Sequence, residues 1–228
     1  LVNRKINTLK NYEKIFDYAK NLGLNLIFSV YDTTGVDFAI KIGAIAIKIP
    51  SSNINHKYLI EYTAKKNIPI ILDTGHSSIE EIARAINWTE DAGQSKIIIE
   101  HSPLAPPTSV KFHNLLFMKT LEDTFGYSVG LSDHHYGNEM LYAATALGAV
   151  IVEKGVCFDK NKIDQDVAHS IQIDEVKEVN KKILNISKGL GDGIRYLKRN
   201  RPKYISRMGI IAKKDIKVSE TINLKNIK

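Results

Sequence analysis

The 228-residue sequence has one cysteine, one tryptophan and six prolines. A lone Cys157 excludes an intramolecular disulfide and suits a reducing compartment, so a cytoplasmic protein is expected. No run of 18 apolar residues occurs, which excludes a transmembrane helix. The N-terminal Leu1-Val2-Asn3-Arg4-Lys5 is not followed by an apolar segment, so no signal peptide is expected there. The first residue is not Met, which raises the expectation of a fragment of a longer chain. Neither a GxGxxG nor a GxxxxGK[ST] pattern is present, which disfavours a dinucleotide-binding fold and a P-loop NTPase.

Acidic charge is scarce at one end of the chain only. The formal net charge is +7. Residues 195–228 hold eleven Lys and Arg against two acids, and the other 194 residues hold 21 basic and 23 acidic. The excess is therefore a property of the tail, where a charge run reads first as a solvated segment. No nucleic-acid-binding signature accompanies it, so nucleic acid is not an expected partner.

What the chain does contain is alternation. Short apolar runs occur at 24–30, 44–49, 68–72, 96–99, 127–131 and 149–152. Helical periodicity occupies 12–22, 33–41, 56–66, 78–92, 112–124, 137–147 and 174–187. Ser77 and Ser78, followed by Glu80 and Glu81, form a helix start. Near-continuous apolar strands separated by helices predict an α/β fold with a parallel sheet covered by helices, in six βα units. Residues 1–188 form that domain. Residues 189–207 read as a basic linker, and residues 208–228 are too few to bury a core of their own.

Polar residues cluster just after the strands, where α/β barrels and open α/β sheets both place their sites. Lys48 ends an apolar strand. A lysine there needs an anionic partner if it points inward, and it suits a phosphate or carboxylate ligand. His134, in Leu131-Ser132-Asp133-His134-His135, is placed to ligate a metal or transfer a proton, or to serve as a hydrogen-bonded loop residue. Glu153-Lys154 repeats the strand-end pattern and reads either as a lumen ion pair or as part of a site. Asp73, His76, Glu100 and His101 fall at strand ends too. Asp166 and His169 lie on a loop, where capping or surface exposure is the default. Cys157 has no obvious base partner and is expected to be buried and inert.

These strand-end motifs, in this order, resemble the sialic acid synthase family. Lys48-Ile49-x-Ser51 is similar to that family's KIxSG, and Leu72-x-Thr74-Gly75 to its LSTGM. Ser132-Asp133-His134 is similar to YSDH, Gly148-Ala149-x-x-x-Glu153-Lys154 to GAxxxEKH, and Asp166…Ser170 to DHxxSL. Ser206-Arg207…Ala212-Lys213-Lys214-Asp215-Ile216 looks like the opening of the family's C-terminal antifreeze-like (SAF) domain. The resemblance implies a (β/α)8 TIM barrel, with strands three to eight in this chain, followed by the start of an SAF domain. It implies an enzyme, a C–C bond-forming transferase of carbohydrate biosynthesis. Phosphoenolpyruvate would be condensed with an N-acyl amino sugar such as N-acetylmannosamine to give a nine-carbon sialic-acid-type sugar, releasing phosphate. A homodimer is implied as well.

By the same resemblance, Lys48, Ser51 and Ser132 hold phosphoenolpyruvate, Ser29 donates a hydroxyl to its phosphate, and Asp166 binds the acceptor. Lys48, Ser132, His134 and Asp166 are the catalytic candidates. Ser29, Ser51, Asn53, Glu153 and Lys154 are the substrate-binding candidates. His134 is the first ligand of a divalent metal, Mn2+ or Mg2+. Two departures stand out. The family's second metal histidine is Gly155 here, and the glutamate of its SGE motif is Asn53, which cannot act as a base. His76 or His101 is the expected replacement ligand. A different carbonyl chemistry on the same barrel, or a non-catalytic relative serving as a binding or assembly module, is the alternative.

Overall fold

A computed structural model describes residues 8–103, 107–162, 164, 166–194 and 208–228. Six strands form one sheet: β1 (Ile27–Ser29), β2 (Ala46–Ile49), β3 (Ile70–Asp73), β4 (Ile97–His101), β5 (Ser128–Ser132) and β6 (Ile151–Glu153). They lie in chain order and every neighbouring pair is parallel. Helices α1 (Leu9–Asn21), α2 (Thr33–Ile42), α3 (Lys57–Ala64), α4 (Ile79–Asp91), α5 (Phe117–Phe125), α6 (Glu139–Ala146) and α7 (Val176–Leu190) precede, link and follow the strands. A separate parallel pair, β7 (Val156–Cys157) and β8 (Ile171–Gln172), follows β6.

Register explains how the strand sequences divide between two faces. Ile47 and Ile49, Ile70 and Leu72, Ile97 and Ile99, and Val129 and Leu131 all belong to the main hydrophobic cluster, with Leu59, Ile60, Ile82, Ala85, Met118 and Leu121 from the helices. The alternate positions point the other way, because side chains change face at each residue. Lys48 stands opposite Ile71, Asp73 opposite Glu100, Glu100 opposite Gly130, and Ser132 opposite Glu153. The strands therefore read as apolar runs, yet every second residue at their C-terminal ends is polar.

The sheet is curled toward that polar face. β2 and β6 are four strand spacings apart, about 19 Å in a flat sheet. Lys48 Nζ nevertheless lies 2.7 Å from a Glu153 carboxylate oxygen. Two side chains cannot span the flat distance, so the six strands form an arc, a half-barrel with its concave side lined by these residues. Gly130 on β5 lies against Ile151 of β6 with no space for a side chain. A Cβ there would sit 2.3 Å from a methyl of Ile151 and 2.9 Å from its carbonyl oxygen.

Local signals behave as the sequence predicts. Ser78 caps α4 in a capping box, its Oγ accepting from Glu81 N–H at 3.3 Å while the Glu81 carboxylate accepts from Ser78 N–H at 2.9 Å. Three helix boundaries differ by three residues or more. Helix α1, expected from 12, begins at Leu9, the helix expected over 112–124 begins at Phe117, after a 3-10 turn at Val110–Phe112, and α7 continues through Leu190 into the expected linker. Of that linker, residues 195–207 lie outside the described residues. A second unit spans Gly191–Lys228. In it, Ala212 and Ile227 form one antiparallel bridge, and Asn226 is buried with its amide donating to the Thr221 carbonyl. No regular strand forms among its described residues. Among the described residues no helix is long and apolar enough to cross a membrane.

Leu72 is fully buried between sheet and helices. Leu72→Ala is expected to cost about 2–5 kcal/mol, read from the shift in urea unfolding midpoint at unchanged slope.

Candidate functional site at the C-terminal rim

Lys48 occupies the middle of the concave face and is nearly inaccessible. Its Nζ lies 3.0 Å from Asp73 on β3, 2.7 Å from Glu100 on β4 and 2.7 Å from Glu153 on β6. Burial pushes the lysine down, but Glu100, Asp73 and Glu153 outweigh it and raise Lys48 above the usual lysine range. The converse holds at Glu100. Its burial, opposed by Lys48 and reinforced by Glu153 and Asp73, pushes its carboxyl up to about 7. Its oxygens have no well-aligned hydrogen bond, although one is in ion contact with Lys48. The cluster holds three carboxylates against one ammonium, and Glu153 is the member with half its side chain exposed.

A second ion pair holds the loop after β5. Lys154 and Asp133 side chains are 2% and 0% exposed, and Lys154 Nζ donates to Asp133 at 2.6 Å and to the carbonyls of His135 and Gly137. Asp133 also accepts from His135 N–H and lies 3.1 Å from His113 Nε2. Every donor of Lys154 is thereby used, and the pair positions His134 instead of facing a ligand. His135 is tied at both ring nitrogens, to the Thr108 carbonyl and the Glu139 carboxylate.

His134 projects from this fastened loop. Its Nε2 is 3.5 Å from Ser132 Oγ, and its buried Nδ1 has no hydrogen-bond partner. The ring of His169 packs against it edge-on, with centroids 4.9 Å apart. Burial lowers the pKa of both imidazoles, and His134 lowers that of His169 further. Both are neutral at neutral pH. The sequence favoured a capping or surface role for His169, but the β7–β8 ladder draws it inside, where it is 4% exposed.

The other predicted residues are distributed unequally around the rim. Ser132 is buried beside His134. Ser51 follows β2 and lies under the turn after β3, where Gly75 has φ +43° and a Cβ would sit 2.3 Å from that of Ser51. Ser29 pairs in register with Lys48 but is exposed on the edge strand β1. Asn53 donates to the Tyr31 carbonyl. Asp166 is exposed, and its carbonyl accepts from Ser170 Oγ at 2.7 Å. His101 is buried with Nε2 2.7 Å from the His113 carbonyl, and its buried Nδ1 lacks a partner. His76 is exposed. Cys157 is buried and free, as expected. Among the described residues no three His, Cys, Asp or Glu side chains are gathered around one metal position. The contributions of Asp73 and Glu100 were partly legible, because strand parity places them on the Lys48 face. The approach of His169 was not.

Polar side chains gathered at the C-terminal ends of consecutive parallel strands define the site of a barrel-type α/β protein. The chain belongs to the NeuB family, whose model matches residues 3–195. It is 33% identical over 223 residues to an N,N'-diacetyllegionaminic acid synthase of Campylobacter jejuni, covering 96% of this chain and 67% of the relative. A pseudaminic acid synthase of the same species is 29% identical, covering 95% and 64%. The crystal structure of an N-acetylneuraminic acid (sialic acid) synthetase from Leptospira borgpetersenii superposes with a TM-score of 0.79 at 24% identity, covering 85% of this chain and 67% of that one, a likeness of fold. The chain thus spans about two thirds of the length of these curated relatives.

Two expectations follow from the electrostatics. With its carboxyl raised from 4.5 to about 7, Glu100 holds a proton in the folded state that the unfolded chain has released. Its contribution to stability is full below pH 4.5 and is lost as pH rises through 7. Glu100→Gln is expected to flatten the decline in thermal stability between pH 4.5 and 7, measured by melting curves across that range. Lys154→Met strands Asp133 as a buried charge and is expected to cost about 3–5 kcal/mol by denaturant titration, partly recovered in the double variant with Asp133→Asn.

Proposed function

We propose that the protein is a phosphoenolpyruvate-dependent synthase that condenses its substrate with an N-acyl amino sugar of the N-acetylmannosamine type. The product is a nine-carbon sialic-acid-type sugar, and phosphate is released. The observation that carries the reading is the buried Lys48 at the centre of the curled rim of a NeuB-family chain, with Ser132 and His134 on the same rim.

In this reading C3 of phosphoenolpyruvate attacks the aldehyde carbon of the open-chain sugar and forms the new C–C bond. The aldehyde oxygen takes a proton and becomes a hydroxyl. Water adds to C2, giving up a proton, and phosphate leaves by C–O cleavage to yield the 2-keto acid. Lys48 holds an anionic group of phosphoenolpyruvate as a point charge, and the hydroxyls of Ser51, Ser132 and Ser29 donate to it. Asp166 accepts from sugar hydroxyls. Glu153, half-exposed, is the carboxylate free to swing from Lys48 when an anion arrives. Glu100, poised near neutrality, releases or takes up a proton as the charge around Lys48 changes. A divalent metal held at His134 would supply Lewis-acid polarisation of the aldehyde. His134 Nδ1, buried and without a partner, fits that role.

The same reading takes residues 208–228 as the start of an SAF domain, completes the barrel to (β/α)8 and makes the working unit a cytoplasmic homodimer. A second reading, a different carbonyl chemistry, draws on the same cluster. Three carboxylates around Lys48, with Asn53 and Gly155 at the departures, make the rim less welcoming to a phosphate.

Phosphate release discriminates between them. The full-length gene product, given phosphoenolpyruvate, Mn2+ and N-acetylmannosamine or a diacetylated analogue, is expected to release phosphate in step with phosphoenolpyruvate loss. Lys48→Met is expected to lower kcat/KM by about 10²-fold or more. No release with any N-acyl amino sugar, free or phosphorylated, would defeat the synthase reading.

A further inference from the structure

The ladder of β7 and β8 sets two residues side by side. Ile171 N–H donates to the Gly155 carbonyl at 2.8 Å, so Gly155 lies across from Ser170, and His169 ends the 3-10 turn Val167–His169 one residue earlier. Position 155 has no room for a side chain. A Cβ there would sit 2.6 Å from Ser170 Oγ, which is itself held by the Asp166 carbonyl. An imidazole cannot start from 155 without displacing Ser170. It starts instead from 169, across the ladder, and reaches His134.

The two rings share the features of a ligand pair. Each has a buried Nδ1 with no hydrogen-bond partner, an arrangement that is unfavourable for a polar atom unless something binds there. Two imidazoles on one cation, with nitrogen–metal bonds of about 2.1 Å, set their ring centres roughly 4.5–5.3 Å apart. The observed separation is 4.9 Å. His101, by contrast, has its Nε2 committed to the His113 carbonyl, and His76 is exposed on the loop after β3.

We infer that His134 and His169 together form the imidazole pair of a divalent-cation site, with His169, in the 3-10 turn that precedes β8, supplying the ligand that Gly155, just before β7, cannot supply. Two protein ligands leave the remaining coordination positions to water and to substrate oxygens, as a Lewis-acid site requires. The inference deepens the proposed function and rests on it for the use of the metal, but binding is measured without substrate.

The test is titration of the full chain with Mn2+, followed by electron paramagnetic resonance of the free ion and by calorimetry. One Mn2+ is expected to bind, and His134→Ala and His169→Ala are each expected to weaken it at least tenfold. His169→Gln, closer in volume, is expected to do the same with an unchanged melting curve. In the His169→Ala background, Gly155→His combined with Ser170→Ala is expected to restore binding. Wild-type affinity in both His169 variants, or no Mn2+ uptake by the wild type, would overturn the inference. A protein that binds Mn2+ through this pair yet releases no phosphate keeps the site and loses the synthase reading.

Discussion

The contact between Lys48 and the carboxylates of Asp73, Glu100 and Glu153 organises the concave face. Four strands send one charged side chain each to a single point. An ammonium in that position is tolerable only with anions around it, and three carboxylates are tolerable only with a cation between them. The curl of the sheet is the geometry that lets them meet. Helix packing on the other face supplies the driving force, through the isoleucines and leucines that alternate with the charged residues. The same alternation therefore builds the core and lines the rim.

Around this centre the molecule keeps two kinds of charged group apart. Lys154 and Asp133 are saturated with partners and fasten the loop that carries His134. Their burial is a structural commitment, and breaking either side leaves an isolated charge. Glu100 and the two imidazoles of His134 and His169 are the opposite. They are buried, incompletely partnered and shifted toward their neutral forms. Buried groups left in this state are the ones a ligand, proton or metal can change.

The basic tail has a separate status. Its positive charge lies almost wholly outside the half-barrel sequence, so the near-neutral domain and the concentrated charge at its rim have to be understood by themselves. The rim carries more carboxylate than ammonium. At Lys48 that balance is three carboxylates to one ammonium, a local property that the chain's net +7 does not express.

Hydrophobic periodicity was sufficient for the six strands, their parallel order and most helix boundaries, because each is a local pattern repeated along the chain. Strand-end motifs were sufficient for Lys48, Ser132, His134 and Glu153 as rim residues, since a parallel strand carries its last side chains to one end of the sheet. Helix α5 starts late, after a 3-10 turn at Val110–Phe112. Three features lay beyond sequence reasoning. Glu153 reaching Lys48 required the curl, a property of the whole sheet. Lys154 turning to Asp133 required the loop after β5 to fold back over it. His169 reaching His134 required β7 and β8 to pair, which brings together residues 35 positions apart in the chain. The sequence by itself determined which residues stand on which face of each element. Only the tertiary structure decided which of them touch, because contact depends on curvature and strand pairing that no local period encodes.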